Sequence, residues 1–364
     1  MDSPSLGLLV GSALVSVFLC GLVIRWGRAR GWVSMPRADR FGERSVALMG
    51  GLGFLGAFLL AMLYWASPIS EGQPAVLRTV LGTLIGMTAI LVGLGFLDDR
   101  GGVDPTTKLS VQAFCAVASL MVLYETMLRS SGGAAQVLLL GLGGLFVVGL
   151  SNSVNMLDNM DGLAAGSVWV SCVGLSALSW MLGHPQVALV AGLLGASLVG
   201  FLAFNAPFLR PARLFMGDCG SLPMGYLLGI VMVWLLVLER DAVWLWCALP
   251  LAAAVPLGDT AFVLWRRKVE GRPLMLGGQD HLSHCLVRAG FSPGRVFALF
   301  LGASLWTATG LTVAGMVRNW PLSLSWSVAT AVGWGLACRW LARYSLGSAT
   351  AAGASPRPSG RSAK

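Results

Sequence analysis

Apolar runs of about 18 or more residues without a charged side chain recur along the whole chain, and a helix of that length crosses the hydrocarbon core of a bilayer. The runs are continuous rather than alternating, which speaks against membrane strands, and an open sheet would leave backbone groups unpaired in lipid. The chain therefore reads as an all-α integral membrane protein, a polytopic bundle of about 11 transmembrane helices. Spans are predicted at roughly 5–24, 46–66, 76–96, 110–128, 134–150, 166–183, 186–204, 221–238, 242–264, 294–316 and 321–341. No shift of composition marks off a soluble domain. Residues 1–344 are expected to form one transmembrane domain, and 345–364, rich in Gly, Ser, Ala and Pro with late Arg357, Arg361 and Lys364, a disordered cytoplasmic tail.

The first apolar run lacks a basic leader, follows Asp2 and is closed by Arg25, Arg28 and Arg30, which suits a retained first span with its following loop inside. Counting on from there, the inner loops receive Arg37, Arg40 and Arg44, then Arg100 and Lys108, Arg210 and Arg213, and finally Arg266, Arg267, Lys268 and Arg272. The outer loops receive little beyond Arg78, Arg129, Arg240 and Arg318. Positive-inside bias and anionic headgroups thus account for the net charge of +9, and no nucleic-acid partner is expected.

Only 11% of the residues are charged, so an acid in this chain needs a reason to be there. The acids gather in three stretches: Asp98 and Asp99 at the end of a span, Asn152, Asn155, Asp158 and Asp161 at three-residue intervals, and Asp218 in Phe215-Met216-Gly217-Asp218-Cys219-Gly220-Ser221. With the later Asp280, His281 and His284 they all fall on the inner face, which suggests one site.

Each stretch has a bland reading as well. Asp98 and Asp99, followed by Gly101, Gly102 and Lys108, offer hard oxygens and one cation suited to magnesium and phosphate, or merely end a helix. The Asn/Asp set would share one face if helical, aiming amides and carboxylates at a common point, or would glue helices together. Asp218 and Ser221 could bind metal and anion, or only cap the next helix. Pro256 and Asp259 suggest a kinked helix with a buried acid. The two histidines could contact a diphosphate or sugar, or sit in a solvated basic loop. The seven cysteines, without paired spacing, read as small buried hydrophobes.

Taken in order, these markers resemble the polyprenyl-phosphate N-acetylhexosamine-1-phosphate transferases, relatives of the muramoyl-pentapeptide transferase of peptidoglycan synthesis. The resemblance runs from about Asp39 to Gly290, through Gly50-Gly51, Asp98-Asp99 with Lys108 and Gln112, the Asn152/Asn155/Asp158/Asp161 set, Asn205 and Pro207, Phe215 to Ser221, Pro256 with Asp259, and Asp280-His281.

The resemblance implies transfer of a sugar 1-phosphate from a UDP-N-acetylhexosamine to undecaprenyl phosphate at the cytoplasmic face of a bacterial inner membrane, releasing UMP and starting a cell-envelope polysaccharide. It implies Mg2+, with Mn2+ as an alternative, held by Asp218 and Asn155. Asp158, Asp161 and Phe215, with Asn152, would receive the uridine and diphosphate. Lys108 would hold the diphosphate, Asp98 and Asp99 would serve the lipid phosphate, and His281 with His284 would contact the donor's phosphates or sugar. Oligomeric state stays open and is compatible with a homodimer.

The chain departs from the pattern at three places. Ser283 stands third in a cluster that is usually His-x-His-His, the first basic loop lacks a Lys-His pair and a proline before its glycines, and Asn159 replaces a glycine between the two acids. Rival readings are an ion-coupled transporter, whose acids would sit mid-bilayer, and a CDP-alcohol phosphotransferase, which would carry an arginine soon after its Asp-Gly.

Overall fold

Helix occupies every predicted span, as the pairing of backbone groups within lipid requires. The computed structural model describes residues 3–34, 45–67, 74–128, 133–207, 211–274 and 278–352. Arg37, Arg40 and Arg44 of the first basic loop lie outside the described residues, as do Arg129, Arg210, Arg357, Arg361 and Lys364. The elements run α1 (Ser3–Ala29), β1 (Val33–Ser34), β2 (Val46–Ala47), α2 (Gly50–Ala66), α3 (Ala75–Gly101), α4 (Pro105–Leu123), α5 (Gly133–Leu138), α6 (Gly144–Leu157), α7 (Leu163–Met181) and α8 (Pro185–Asn205). They continue with α9 (Asp218–Leu238), α10 (Val243–Ala248), α11 (Ala254–Val269), α12 (Leu282–Arg288), α13 (Pro293–Val317) and α14 (Trp320–Ala352).

Among the described residues, nine helices rather than about eleven are long and apolar enough to cross a membrane. The other two expected spans are filled by α2, which has 17 residues, and by α14. The last helix also runs through Ala352, into the stretch read as a tail, and 353–364 lie outside the described residues.

Several spans are interrupted. A π-helical turn at Leu139–Gly143 joins α5 to α6, and a 3-10 stretch at Leu249–Ala253 joins α10 to α11. The interruption of α-helical geometry falls before Pro256, where Pro250 stands at the start of the 3-10 stretch. Pro256 itself sits in the first turn of α11, where a missing N–H breaks no helical hydrogen bond.

Helix α9 is the axis of the bundle. It is apolar on every side and packs against α2, α3, α4, α6, α7 and α8, so a span that would suit lipid is 83% buried in protein. Small residues permit the approach: a Cβ on Gly225 would run into Ser151 and Val154 of α6, and Ser151 donates its hydroxyl to the Leu222 carbonyl at 2.7 Å. Leu14, Phe18, Leu97, Phe114 and Leu145 point outward, as lipid-facing side chains do. All seven cysteines are free, and only Cys247 and Cys338 are less than fully buried.

A small backbone lattice holds the start of α9. Strands β1 and β2 pair antiparallel with Val33 opposite Ala47, and the Phe215 N–H donates to the Ala47 carbonyl at 2.8 Å. Gly50 and Gly51 donate in turn to the carbonyls of Phe215 and Met216 at 2.8 and 3.0 Å. A side chain at Gly51 would strike the backbone of Cys219 and Gly220, which explains the glycine pair noticed in the sequence.

Candidate functional site

The end of α3, the start of α4, the end of α6 and the start of α9 meet at one end of the bundle. Gly95 makes the first of these contacts, because a Cβ there would collide with the backbone of Asp218 and Cys219. The next turn of α3 carries Asp98 and Asp99 to the N-terminus of α9.

The two neighbouring aspartates do different things. Asp99 accepts the backbone N–H of Asp218 at 2.8 Å with Oδ1 and that of Cys219 at 3.1 Å with Oδ2. It therefore caps α9 from another helix, satisfying amides that α9 cannot pair internally. The cap expected from Asp218 or Ser221 comes instead from α3, since Gly217, at φ 73°, turns the chain so that its amides face Asp99. Asp98 accepts the Val103 N–H at 2.6 Å and the Lys108 ammonium at 2.5 Å.

Lys108 is aimed by its own helix. Asp104 caps α4 by accepting from Thr106 and Thr107, whose hydrogen bonds hold its carboxyl below the usual range, and Pro105 opens the first turn. The ammonium then bridges Asp98 at 2.5 Å and Asp218 at 2.7 Å. Asp218 is reached from the fourth side by Asn155, whose Nδ2 donates to Asp218 Oδ1 at 2.9 Å and to Ser221 Oγ at 2.8 Å.

The four polar residues at three-residue spacing do not share one helical face. Only Asn152 and Asn155 lie on α6, which ends at Leu157, while Asp158 is its C-cap and Asp161 stands in the following turn. The helix stops because Asp158 leaves helical geometry, at ψ 49°, and Gly162, at φ 75°, reverses the chain into α7. Asn152, one turn before Asn155 on α6, donates to Gln112 Oε1 of α4 at 2.6 Å. Asp161 accepts the Ala212 N–H at 3.3 Å, and Asn205 clamps the same turn by accepting from Gly162 N and donating to the Leu214 carbonyl, both at 2.8 Å. Those bonds bring Asp161 beside the segment that carries half-buried Phe215.

The histidines form a second, adjoining group. His281 Nδ1 lies 2.7 Å from Asp259 Oδ2, and Asp259 Oδ1 accepts the Leu282 N–H at 2.9 Å, so one buried acid orients an imidazole and caps α12. The ring of His284 stands edge-on to His281 with centroids 6.0 Å apart. Burial, with positive charge from His281 and Arg288, pushes His284 down to about 4. Asp280 is buried between Arg267 at 3.1 Å and Arg272 at 2.5 Å; burial raises its carboxyl, yet the two guanidinium groups hold it below the usual range. This group is joined to the α6–α7 turn by Ser283, whose hydroxyl donates to Asn159 Oδ1 at 2.7 Å.

Asp259 was legible in the sequence as a buried acid, but its pairing with His281 was not, since 22 residues and a helix end separate them. The capping role of Asp99 was equally hidden, because its partner is 119 residues away.

Among the described residues no three His, Cys, Asp or Glu side chains gather as a metal cluster. The donors that converge are two carboxylates, one carboxamide and one hydroxyl, all hard groups, around a position where Lys108 now places a positive charge. That set fits Mg2+, which takes one or two protein carboxylates and completes its shell with phosphate and water. Asn155 would have to turn its carboxamide oxygen toward the ion.

Residues 80–236, which include α4, α6, most of α9 and the acids at their ends, match glycosyl transferase family 4. The chain is 29% identical over 297 residues to a probable undecaprenyl-phosphate N-acetylglucosaminyl 1-phosphate transferase of Bacillus subtilis (strain 168), covering 77% of this chain and 76% of that protein. It is 31% identical over 271 residues to a phospho-N-acetylmuramoyl-pentapeptide-transferase of Rhodopseudomonas palustris (strain BisB18), covering 62% and 71%. Against the undecaprenyl-phosphate alpha-N-acetylglucosaminyl 1-phosphate transferase of Escherichia coli (strain K12) it is 26% identical over 331 residues, 84% of each chain. The family match spans the helix ends that carry Asp98, Lys108, Asn155 and Asp218, and with these relatives the chain is placed as a membrane enzyme of glycosyl transferase family 4.

Proposed function

We propose that this protein transfers N-acetylhexosamine 1-phosphate, in the first place GlcNAc 1-phosphate, from a UDP-sugar to undecaprenyl phosphate. An oxygen of the acceptor phosphate attacks the sugar-bearing phosphorus, the bond to UMP breaks, and a lipid-linked diphosphate sugar remains to begin a cell-envelope polysaccharide. The single observation that carries this reading is the meeting of Asp98, Lys108, Asn155 and Asp218 from four helix ends. Joining two anions needs neutralisation and alignment more than covalent machinery, and a lysine balanced between two carboxylates beside a capped helix N-terminus answers that need.

In this reading Lys108 leaves its carboxylates to hold the diphosphate, and Asp98, freed from it, takes up any proton on the acceptor phosphate. Asp99 keeps α9 in place and so positions Asp218. Asp158, Asp161 and Phe215 receive the uridine. His281, held at Nδ1 by Asp259, leaves Nε2 for the donor's phosphates or sugar, with His284 beside it. Asp218 and Asn155 would hold Mg2+, or Mn2+ in its place, and the ion would supply further neutralisation of the diphosphate.

The acceptor explains the setting. Its long tail stays in the bilayer while its phosphate meets a soluble donor at an interface, and the excess of Arg and Lys in the loops on that side supports a cytoplasmic face of a bacterial inner membrane. Lipid-facing apolar helices also leave room for a homodimer in the bilayer. Purified protein supplied with magnesium, undecaprenyl phosphate and a panel of UDP-sugars tests the proposal. UMP release that depends on the lipid supports it, and no release with any donor refutes it.

A further inference from the structure

Two of the places where the chain departs from the pattern it resembles, Asn159 and Ser283, touch each other. They lie 124 residues apart, one in the α6–α7 turn and one in α12, and Ser283 Oγ donates to Asn159 Oδ1 at 2.7 Å. The opposite end of the same carboxamide donates to the Met156 carbonyl at 3.0 Å, so the Asn159 side chain is fixed at both ends. Ser283 is wholly enclosed, at 0% exposure. A hydroxyl enclosed in this way needs a partner, and Asn159 supplies the acceptor. Glycine at 159 would provide no acceptor. The two departures are therefore complementary: one introduces a donor where the other introduces its acceptor.

We infer that Asn159 and Ser283 form a latch that holds the α6–α7 turn at a fixed distance from α12 and thereby determines which donor sugars fit. The latch joins the stretch carrying Asp158 and Asp161 to the stretch carrying His281 and His284, the two sides between which the donor is proposed to lie. The first two residues of helix α12 are then held by Asp259 at the Leu282 amide and by Asn159 at Ser283. Both latch residues are positioning residues. This inference rests on the transferase reading given above.

The test uses the full-length protein in detergent with S283A, N159A, the double variant and S283T, assayed for UMP release against UDP-GlcNAc and UDP-GalNAc. Each alanine variant is expected to raise the donor KM about three- to tenfold, the loss that one hydrogen bond implies. The ratio between the two donors shifts, while kcat and the undecaprenyl phosphate KM stay within about twofold. The double variant is no worse than the poorer single one, and S283T, which keeps the hydroxyl, restores the donor KM. Wild-type donor KM and donor ratio in both alanine variants would overturn the latch, as would additive effects. A readout free of turnover separates the two proposals: amide hydrogen exchange across Leu282–Arg288 accelerates in S283A and N159A alike. Unchanged exchange sinks the latch, whereas accelerated exchange in a protein that releases no UMP keeps the latch and sinks the transferase reading.

Discussion

Asp99 holds the backbone of Asp218: its carboxylate accepts the Asp218 N–H at 2.8 Å, and the adjacent Cys219 N–H at 3.1 Å. Neighbouring Asp98 holds a side chain instead, the Lys108 ammonium. The pair should therefore separate under mutation. Asp99→Ala is expected to lose about 1–2 kcal/mol of stability, as loss of a helix cap does, and to lose turnover with it because Asp218 shifts. Asp98→Asn should lose turnover while melting close to the wild-type temperature. Thermal unfolding in detergent, run beside the UMP-release assay, distinguishes them. Equal melting of Asp99→Ala and wild type would contradict the capping role.

Lys108 stands between Asp98 and Asp218, and its removal leaves two carboxylates facing across the gap it bridged. Lys108→Met is expected to lower kcat by about a hundredfold or more, the usual loss when a transition-state charge partner is removed. Arginine should not rescue it, because a planar fork cannot replace a compact ammonium between two carboxylates. The kcat of both variants at saturating donor checks this, and substantial turnover in Lys108→Arg would argue that only charge matters.

How far the sequence could be read depended on the range of the interactions. Spans were legible because uncharged length is a local property, and so was the identity of the acids, because an apolar chain makes each one conspicuous. The regular spacing of Asn152, Asn155, Asp158 and Asp161 misled, since the helix that the spacing assumed already ends at Leu157, where Asp158 leaves helical geometry. Nothing local announced that Asp99 would cap a helix 119 residues on, or that Asn159 would answer Ser283. Such pairings are decided by helix packing, and the packing is set by small residues such as Gly51 and Gly95, whose partners the sequence does not name.

Asp259 serves two purposes from one buried position, accepting from the Leu282 amide and fixing the His281 ring. Asp259→Ala should destabilise the protein by about 3 kcal/mol, since it leaves a buried imidazole and a helix N-terminal amide without their acceptor. Asp259→Asn keeps the shape and one acceptor, so it should melt nearer to wild type but lose about tenfold in turnover through a misaligned His281. Turnover of Asp259→Asn at the wild-type level would show that the orientation of His281 is irrelevant to the reaction.

The pH dependence of stability should carry the mark of His284. Burial comes first among the causes that push it down to about 4, followed by His281 and Arg288, while Asp259 and Asp280 act weakly the other way. The unfolded chain binds a proton to this imidazole near pH 6.5, the folded chain only near 4, so between those values the unfolded state holds more protons. The associated stability is complete above about pH 6.5 and falls away as the pH drops toward 4. His284→Gln cannot take up that proton, so its melting temperature should decline less than the wild type's between pH 7 and pH 4.5. Parallel melting curves for the two proteins across that window would mean that His284 is not held neutral by its surroundings.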